Sequence, residues 1–286
     1  MSIFNKLSFA ALSAVMVTIG ATQAAQAGQL HNGWNYGIDA FGDGSGGDIY
    51  DIKGMAIKSS GDNIFIALNS NMPLSGNSEG SASRARGGSI GWGDLFLNFS
   101  GDDFQTASQN GDLIGINFTD ANDSDAATVG VYTDVTAKSI THNNQGYKHL
   151  QHYYNRGFYR ENTMGTDYAT QQAAFDEFGQ KSSIRNVIDS GTFVGGLSFL
   201  SNSEMEAEGL DFEHFGADGS ETVAFSFSRA FAPTGDFVAS IFLECANDGV
   251  ALNGEIQDVP EPSVIGGMLL LGAVAGRRLR RQQANA

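Results

Sequence analysis

The stretch Val223-Ala224-Phe225-Ser226-Phe227 alternates large apolar side chains with alanine and serine. Successive side chains of a β-strand point to opposite faces of the sheet, so this alternation predicts a strand with one buried face. The rest of the chain is rich in glycine, asparagine, serine and aspartate, which favour turns. We therefore predict a mainly β protein built from short strands and tight turns.

Other short apolar segments, separated by similar turn residues, extend this pattern along the chain. They are residues 64–68, 94–99, 113–118, 129–132, 192–194, 197–200 and 237–243. No internal repeat of about 20 to 50 residues is evident, which argues against a propeller or a solenoid. The pattern predicts a β-sandwich or a jelly-roll-like domain with one buried face per sheet.

Residues 146–189 interrupt the β pattern because tyrosine, glutamine and alanine replace the short apolar segments. We predict helices at 147–155 and 167–178, and a further helical turn at 203–209. The segment is short for an independent core, so we interpret it as a partly helical insertion packed on the sandwich. A separate helical domain is the alternative.

The N-terminus has the three parts of a secretory signal peptide. Lys6 supplies a positive charge, residues 7–19 form a short apolar run, and Ala25-Gln26-Ala27 is a small-x-small site for signal peptidase. We predict that residues 1–27 are removed and that the mature chain begins near Gly28. An N-terminal membrane helix is the alternative, although the apolar run is short for that role.

The C-terminus combines a proline pair, an apolar run and an arginine cluster, in that order. Pro260 and Pro262 disfavour a helix, residues 264–276 can enter a bilayer as a helix, and the basic end 277–281 stays cytoplasmic. At 1.5 Å per residue this helix spans about 20 Å, less than the roughly 30 Å of a bilayer core. It suits a transient anchor better than a permanent one. A C-terminal amphipathic or core helix is the alternative.

The order of these parts in residues 259–286 resembles the PEP-CTERM sorting tail of Gram-negative and cyanobacterial surface proteins. The resemblance implies that an exosortase acts near the Pro-Glu-Pro motif, removes the helix and delivers the protein to the cell envelope or the extracellular matrix. The residues assigned to leader cleavage and to sorting are Ala25, Ala27, Val259, Pro260, Glu261, Pro262, Arg277, Arg278, Arg280 and Arg281.

The body of the chain resembles a cyanobacterial exosortase-dependent surface protein family through residues 33–39, 91–96 and 244–249. Such families are named for their sorting, so this second resemblance implies a location and no particular activity.

The segment between leader and tail, residues 28–258, is strongly acidic. Without Lys6, the four tail arginines and Glu261, the 16 basic and 32 acidic residues of the chain fall to 11 and 31, a net charge of about −20. Such a surface repels nucleic acid and anionic lipid, and it favours divalent cations. The single cysteine, Cys245, excludes an intramolecular disulfide and predicts a buried thiol, with pairing to another chain as the alternative.

Two acidic loops place hard oxygen donors on turns, as Ca²⁺ requires. The candidate ligands are Asp43 and Asp48 in the first loop and Asp120, Asn122, Asp123 and Asp125 in the second. An EF-hand loop starting at Asp120 would need glycine and glutamate where this chain has Asp125 and Val131. Asx-rich turns without a cation are the alternative. Glu244, Asn247 and Asp248 form a further possible oxygen cluster of the same kind.

A histidine pair offers a different kind of metal site. His149 and His152 lie three residues apart on a predicted helix and could share a metal with His142 or Glu161. A solvated or aromatic-packed pair is the alternative. The sequence lacks the H-E-x-x-H pattern of zinc proteases.

Several aromatic side chains suit either a sugar-binding surface or the core. They are Trp34, Trp92, Tyr147, Tyr153, Tyr154 and Tyr159. Aromatic rings stack on sugars when they are exposed and fill the core when they are not. The sequence also lacks a phosphate-binding loop of the G-x-x-x-x-G-K-[ST] type.

These patterns favour a non-enzymatic, exported surface protein with a structural role or a role in binding glycan or calcium. The expected partners are signal peptidase, an exosortase, the membrane and extracellular polysaccharide, and the acidic charge argues against nucleic acid. Calcium is the one cofactor that the residues indicate. The alternative is a secreted hydrolase that cuts extracellular polysaccharide through paired carboxylates, since acidic residues are abundant.

Overall fold

The computed structural model describes residues 28–78, 83–156, 168 and 170–257. The predicted signal peptide 1–27 and the sorting tail 259–286, with its membrane helix and basic end, lie outside the described residues. Residues 157–167 of the predicted insertion also lie outside them. Within the described ranges, no helix is long and apolar enough to cross a membrane.

The described part of the chain is mainly β, with two antiparallel sheets of six strands. The strands are β1 Gln29–His31, β2 Trp34–Ile38, β3 Ile52–Ser60, β4 Asn63–Ser70, β5 Leu95–Asn98, β6 Leu113–Asn117, β7 Gly130–Lys138, β8 Val187–Gly195, β9 Ser198–Phe199, β10 Glu221–Ser228, β11 Gly235–Phe242 and β12 Gly249–Ile256. The first sheet has the order β1-β2-β3-β4-β10-β9, and the second sheet has the order β12-β11-β5-β6-β7-β8. Each predicted strand segment overlaps one of the strands from β4 to β11.

Short helices connect and cover the strands. The α-helices are α1 Phe104–Asn110, α2 Leu150–Asn155, α3 Gln171–Phe178 and α4 Asn202–Ala207, and one-turn 3-10 helices lie at Asp48–Tyr50, Arg86–Gly88, Glu213–Phe215 and Arg229–Phe231. The helices α2 and α3 fall within the predicted helical segments 147–155 and 167–178, and α4 overlaps the predicted segment 203–209. The strand β8 begins at Val187, so the last residues of segment 146–189 belong to the second sheet.

The two sheets pack against each other through one apolar core. Phe225 of β10 is fully buried and pairs in register with Ile66 of β4 in the first sheet. Ile116 and Ile241 contribute to the same core from the second sheet. Complete burial of each such side chain stabilises the fold by about 1.5 to 3 kcal/mol.

Part of the outer face of each sheet is covered as well, so the prediction of one buried face per sheet is wrong. On the first sheet, Ala224 packs in a cluster with Tyr36 and with Phe212 from the segment that follows α4. On the second sheet, Phe178 of α3 packs in a cluster with Phe96 of β5. These covering segments pack on small or aromatic side chains at the outward positions of the strands. The alternation of large apolar residues alone does not reveal that such positions are buried.

Candidate metal centre

The first acidic loop separates its two predicted calcium ligands. Asp43 is buried and lies beside Asp39 and Asp248. The side chain of Asp48 is 73% exposed, and its Oδ1 pairs with Nζ of Lys53 at 3.1 Å. The loop therefore contributes Asp43, but not Asp48, to a carboxylate cluster of Asp39, Asp43 and Asp248 that we name the acidic pocket.

The acidic pocket forms where the two sheets meet. Asp39 and Asp43 follow β2 of the first sheet, and Asp248 lies in the turn between β11 and β12 of the second. Two hydrogen bonds hold these loops together, since Ser45 N donates to Asn247 O at 3.1 Å and Asn247 Nδ2 donates to Ser45 O at 2.6 Å. The packing of the two sheets against each other thus brings the three carboxylates to one place.

Backbone donors orient two of the three carboxylates. The amides of Ile52 and Gly249 donate to Asp248 Oδ2 at 2.6 Å and to Asp248 Oδ1 at 2.8 Å. The amide of Ala40 donates to Asp39 Oδ1 at 2.7 Å. A carboxylate has about four lone-pair sites, so oriented oxygens can still accept a further ligand.

The carboxylates line a cavity of about 50 Å³ beneath an aromatic cover. One oxygen from each carboxylate lies within 4.8 Å of the other two. Tyr153 of α2, itself buried, closes the cavity and donates its hydroxyl to Asp43 O at 2.8 Å. Burial and the charges of Asp248, Asp43 and Asp39 raise the pKa of Tyr153, so its hydroxyl remains a donor at neutral pH.

Like charges are concentrated in the acidic pocket. Burial, together with the carboxylates of Asp43 and Asp51, raises the pKa of Asp248 well above its ordinary value. Buried carboxylates this close together are stable only with added protons or with positive charge. A bound cation would supply this positive charge, so the electrostatics of the pocket favour a cation site.

The ligand atoms favour a hard cation. Ca²⁺ takes six to eight oxygen ligands at about 2.3 to 2.6 Å. Three carboxylates supply three to six of these oxygens, according to how many bind through both atoms. The cavity, at about 50 Å³, exceeds the roughly 10 to 15 Å³ that one water requires, so it has room for an ion. Within this set of side chains every donor is oxygen, which suits Ca²⁺ better than a transition metal.

The second acidic loop does not bring its predicted ligands together. Asp120 is exposed, and Asp125 forms an ion pair with Lys138. Asn122 is buried, and its Nδ2 donates to Oδ1 of Asp94 at 2.9 Å. Asp123 accepts from the amide of Arg86 at 2.6 Å. These contacts hold the loop as part of the fold, in the manner of the Asx-turn alternative.

The predicted histidine pair has a capping geometry. Nδ1 of His149 accepts from the amide of His152 at 3.0 Å at the start of α2, and the two ring centroids are 5.9 Å apart. His142 lies within 2.9 Å of Arg84, and Glu161 falls outside the described residues. Among the described residues, neither His149 nor His152 belongs to a cluster that could hold a metal.

The two tryptophans lie in the interior and cannot present a surface to a sugar. Trp34 and Trp92 are 0% and 1% exposed. Their indole nitrogens donate to Glu208 O at 2.9 Å and to Met72 O at 3.2 Å. Both are therefore core aromatics. Cys245 is a buried free thiol, as predicted, and burial raises its pKa to about 12.

A larger groove of about 590 Å³ lies beside α1 and α3. It is lined by the acidic residues Asp102, Asp103, Asp176, Glu177 and Asp236. Burial, reinforced by the charge of Asp103, raises the pKa of Glu177 to about 7 against the opposing hydrogen bond from Asn98. Burial would also raise the pKa of Asp103, but hydrogen bonds from Thr106 and Gln105 lower it. One groove thus holds two carboxyl groups whose pKa values differ.

Sequence reasoning missed Asp39 as a partner of Asp43, and it grouped Asp248 with Glu244 and Asn247 instead. Asp39 directly follows β2, a strand that the sequence analysis did not predict. The available signal was the alternation of Trp34, Tyr36 and Ile38 with smaller or polar residues, which predicts a strand that ends before Asp39. In comparisons with family models, with curated proteins and with solved structures, no match to this chain was found.

Proposed function

We propose that this chain is an exported surface protein, sorted through its C-terminal tail, whose two-sheet sandwich has a non-enzymatic binding role and holds calcium in the acidic pocket. The leader and tail motifs of the sequence support export and sorting. The observation that carries the calcium proposal is the convergence of three buried carboxylates on one cavity. The strongly acidic body supports it further, because such a surface attracts divalent cations.

Calcium is expected to connect the two sheets. Asp39 and Asp43 belong to a loop of the first sheet and Asp248 to a loop of the second, so an ion bound to all three holds both loops. Calcium modules that work outside cells bind with Kd values of about 10⁻⁴ to 10⁻³ M. We expect an affinity in this range, with calcium acting mainly on stability.

Addition of calcium to the purified chain is expected to raise its melting temperature. At a calcium concentration of about 100 times Kd the free energy of unfolding rises by about 2.7 kcal/mol, which corresponds to about 5 to 10 °C in Tm for a domain of this size. The measurement is thermal unfolding with calcium, with magnesium and with a chelator. The variant Asp43→Asn should lose most of the shift.

The variant Asp120→Asn provides the matched control, because Asp120 is exposed in the other predicted loop. It should keep the full calcium shift. A calcium shift in Asp43→Asn equal to that of the unmodified chain would refute the proposal. If calcium has no effect and Asp43→Asn alone stabilises the protein, bound protons rather than a cation neutralise the negative charge of the pocket.

The intact mass of the protein recovered from the surface of its host tests export and sorting together. We expect a chain that begins near Gly28 and ends near Pro262, with the mass of any attached group added. A mass that still includes Arg277 and Arg281 would rule out removal of the tail and indicate a retained anchor.

A secreted hydrolase is the second candidate, and the groove beside α3 is the observation that favours it. Glu177, with a pKa near 7, could donate a proton to a glycosidic oxygen. The mechanism also needs a second catalytic carboxylate. Asp103 of the same groove is poorly suited to this role, because its Oδ1 caps α1 and its Oδ2 accepts from Thr106 Oγ1 at 2.7 Å. Release of reducing sugar from a polysaccharide panel, abolished by Glu177→Gln, would favour the hydrolase over the binding protein.

A further inference from the structure

A second group of metal-ligating side chains lies on the opposite part of the first sheet, away from the acidic pocket. His31 ends β1, Asp211 follows α4, and His214 lies in the 3-10 helix Glu213–Phe215. His31 and Asp211 are 180 positions apart in the sequence. The fold brings them together because the segment after α4 covers the outer face of the first sheet.

The three side chains are close enough to share one ion. Nε2 of His31 lies 3.2 Å from Oδ2 of Asp211. The rings of His31 and His214 stack with their centroids 3.9 Å apart and their planes 4° apart. One ligand atom from each of the three residues lies within 4.8 Å of the other two.

Neighbouring groups hold this cluster in place. The amide of Asp211 donates to the hydroxyl of Tyr36 at 2.8 Å, and the amide of His214 donates to Oδ1 of Asp211 at 3.0 Å. Phe215 packs its ring at nearly right angles to both imidazoles. The carboxylate of Asp211 is therefore positioned by groups that an ion would not displace.

We infer that His31, Asp211 and His214 form a binding site for a divalent transition metal such as zinc. Two imidazoles and one carboxylate, with water as the fourth ligand, match the open tetrahedral sites that zinc adopts in proteins. Zinc–ligand bonds of about 2.0 to 2.1 Å place neighbouring ligand atoms about 3.3 Å apart. The His31–Asp211 pair already has this separation.

Closing the site requires a small movement of His214. Its ring must turn out of the parallel stack so that a nitrogen approaches the other two ligand atoms. The side chain of His31 is 25% exposed and that of Asp211 is 41% exposed, and His214 is exposed as well. The ring can therefore turn without disturbing the core, and the site is open to metal from solvent.

The bound metal would fasten an edge strand. The strand β1 lies at the edge of the first sheet and pairs with β2. Edge strands expose unpaired backbone groups and are prone to pair with other chains. A metal that joins His31 to the segment after α4 closes a long loop of the chain and restrains this edge.

The test is zinc titration of the purified chain by calorimetry in the presence of saturating calcium, which keeps the acidic pocket from responding. We expect one zinc equivalent to bind, and we expect His214→Ala to bind at least tenfold more weakly. His31→Ala should have the same effect. His142→Ala, which removes a histidine bonded to Arg84 elsewhere, should bind as the unmodified chain does.

Thermal unfolding provides a second measurement that does not depend on calorimetry. Zinc should raise the melting temperature of the unmodified chain and of His142→Ala, but not that of His214→Ala. Equal zinc affinity in His214→Ala and in the unmodified chain would overturn the inference. Zinc binding that is lost in Asp43→Asn and kept in His214→Ala would also overturn it, since the metal would then occupy the acidic pocket.

Discussion

Replacement of Asp94 by alanine is expected to lower the free energy of unfolding by about 3 to 5 kcal/mol. Asp94 is completely buried, and four donors converge on its carboxylate. They are Asn117 Nδ2 at 2.9 Å, Asn122 Nδ2 at 2.9 Å, Ser124 Oγ at 2.6 Å and the amide of Ile188 at 2.7 Å. Alanine would leave these donors buried without an acceptor, which costs far more than the lost contacts.

The loss would affect several segments of the second sheet and its loops. Asn117 ends β6, Ser124 lies in the second acidic loop, and Ile188 belongs to β8, so Asp94 links three separate segments. Burial raises the pKa of Asp94 and the four hydrogen bonds oppose that rise. A total stability of about 5 to 15 kcal/mol is usual for a domain, so this variant would be close to unfolding.

Denaturant unfolding of the variant measures the effect. Asp112→Ala is the matched control, because Asp112 is exposed in the turn before β6 and should change stability by less than about 0.5 kcal/mol. A loss in Asp94→Ala no larger than in Asp112→Ala would mean that water replaces the carboxylate, and it would remove Asp94 from the list of residues that hold the fold together.

Stability is expected to fall as the pH rises from about 4.5 to 7, and Glu244 is expected to contribute about 3 kcal/mol to that fall. Glu244 is buried, and burial raises its pKa from 4.5 to about 7 although the amides of Asp123 and Gly91 oppose the rise. The folded protein therefore retains a proton that the unfolded chain releases. The contribution is fully present below pH 4.5 and is lost as the pH rises through 7.

The variant Glu244→Gln removes this titration. Its stability, measured by denaturant unfolding at several pH values, should change less between pH 4.5 and 7 than that of the unmodified chain. Glu206→Gln is the control, because Glu206 is exposed on α4 and its replacement should leave the pH profile unchanged. Identical profiles for Glu244→Gln and the unmodified chain would show that Glu244 is not the group that titrates.

The carboxyl groups of Asp94 and Glu244 determine the conformation of the second acidic loop. Oε1 of Glu244 accepts from the amide of Asp123 at 2.6 Å, and Asp94 accepts from Asn122 and Ser124. The loop that looks like a calcium site in the sequence is thus a set of turns tied to two buried acids. Residue types alone do not separate the two cases, since both need oxygen and amide groups on a turn.

Some missed elements carried a sequence signal and others did not. The helix α1 is bounded by Asp103 at its N-terminus and by Gly111 in a left-handed conformation at its C-terminus, which are recognisable capping residues. The strand β3 offered less, because residues on both of its faces are buried and Lys53 and Gly54 interrupt its apolar run. Without alternation, a strand of this kind lacks its most useful periodic signal.

The mainly β architecture and the approximate positions of most strands could be predicted from the amino-acid sequence alone. This was possible because the alternation of side chains across a strand is a local property, visible at 223–227 without knowledge of any partner strand. The sequence also predicts the leader and the tail, because the motifs of each consist of residues that are close together in the chain. Both of those segments lie outside the described residues and remain predictions.

The identity of the polar side chains that meet in each cluster could not be predicted without the folded structure. Asp39 and Asp43 reach Asp248 because β2 lies near β12, as the hydrogen bond from Asn35 Nδ2 to Asn253 O at 2.8 Å shows. His31 and Asp211 meet because a covering segment returns to an edge strand. Such contacts depend on the packing of whole sheets, which is a long-range property, and no local spacing in the sequence encodes it.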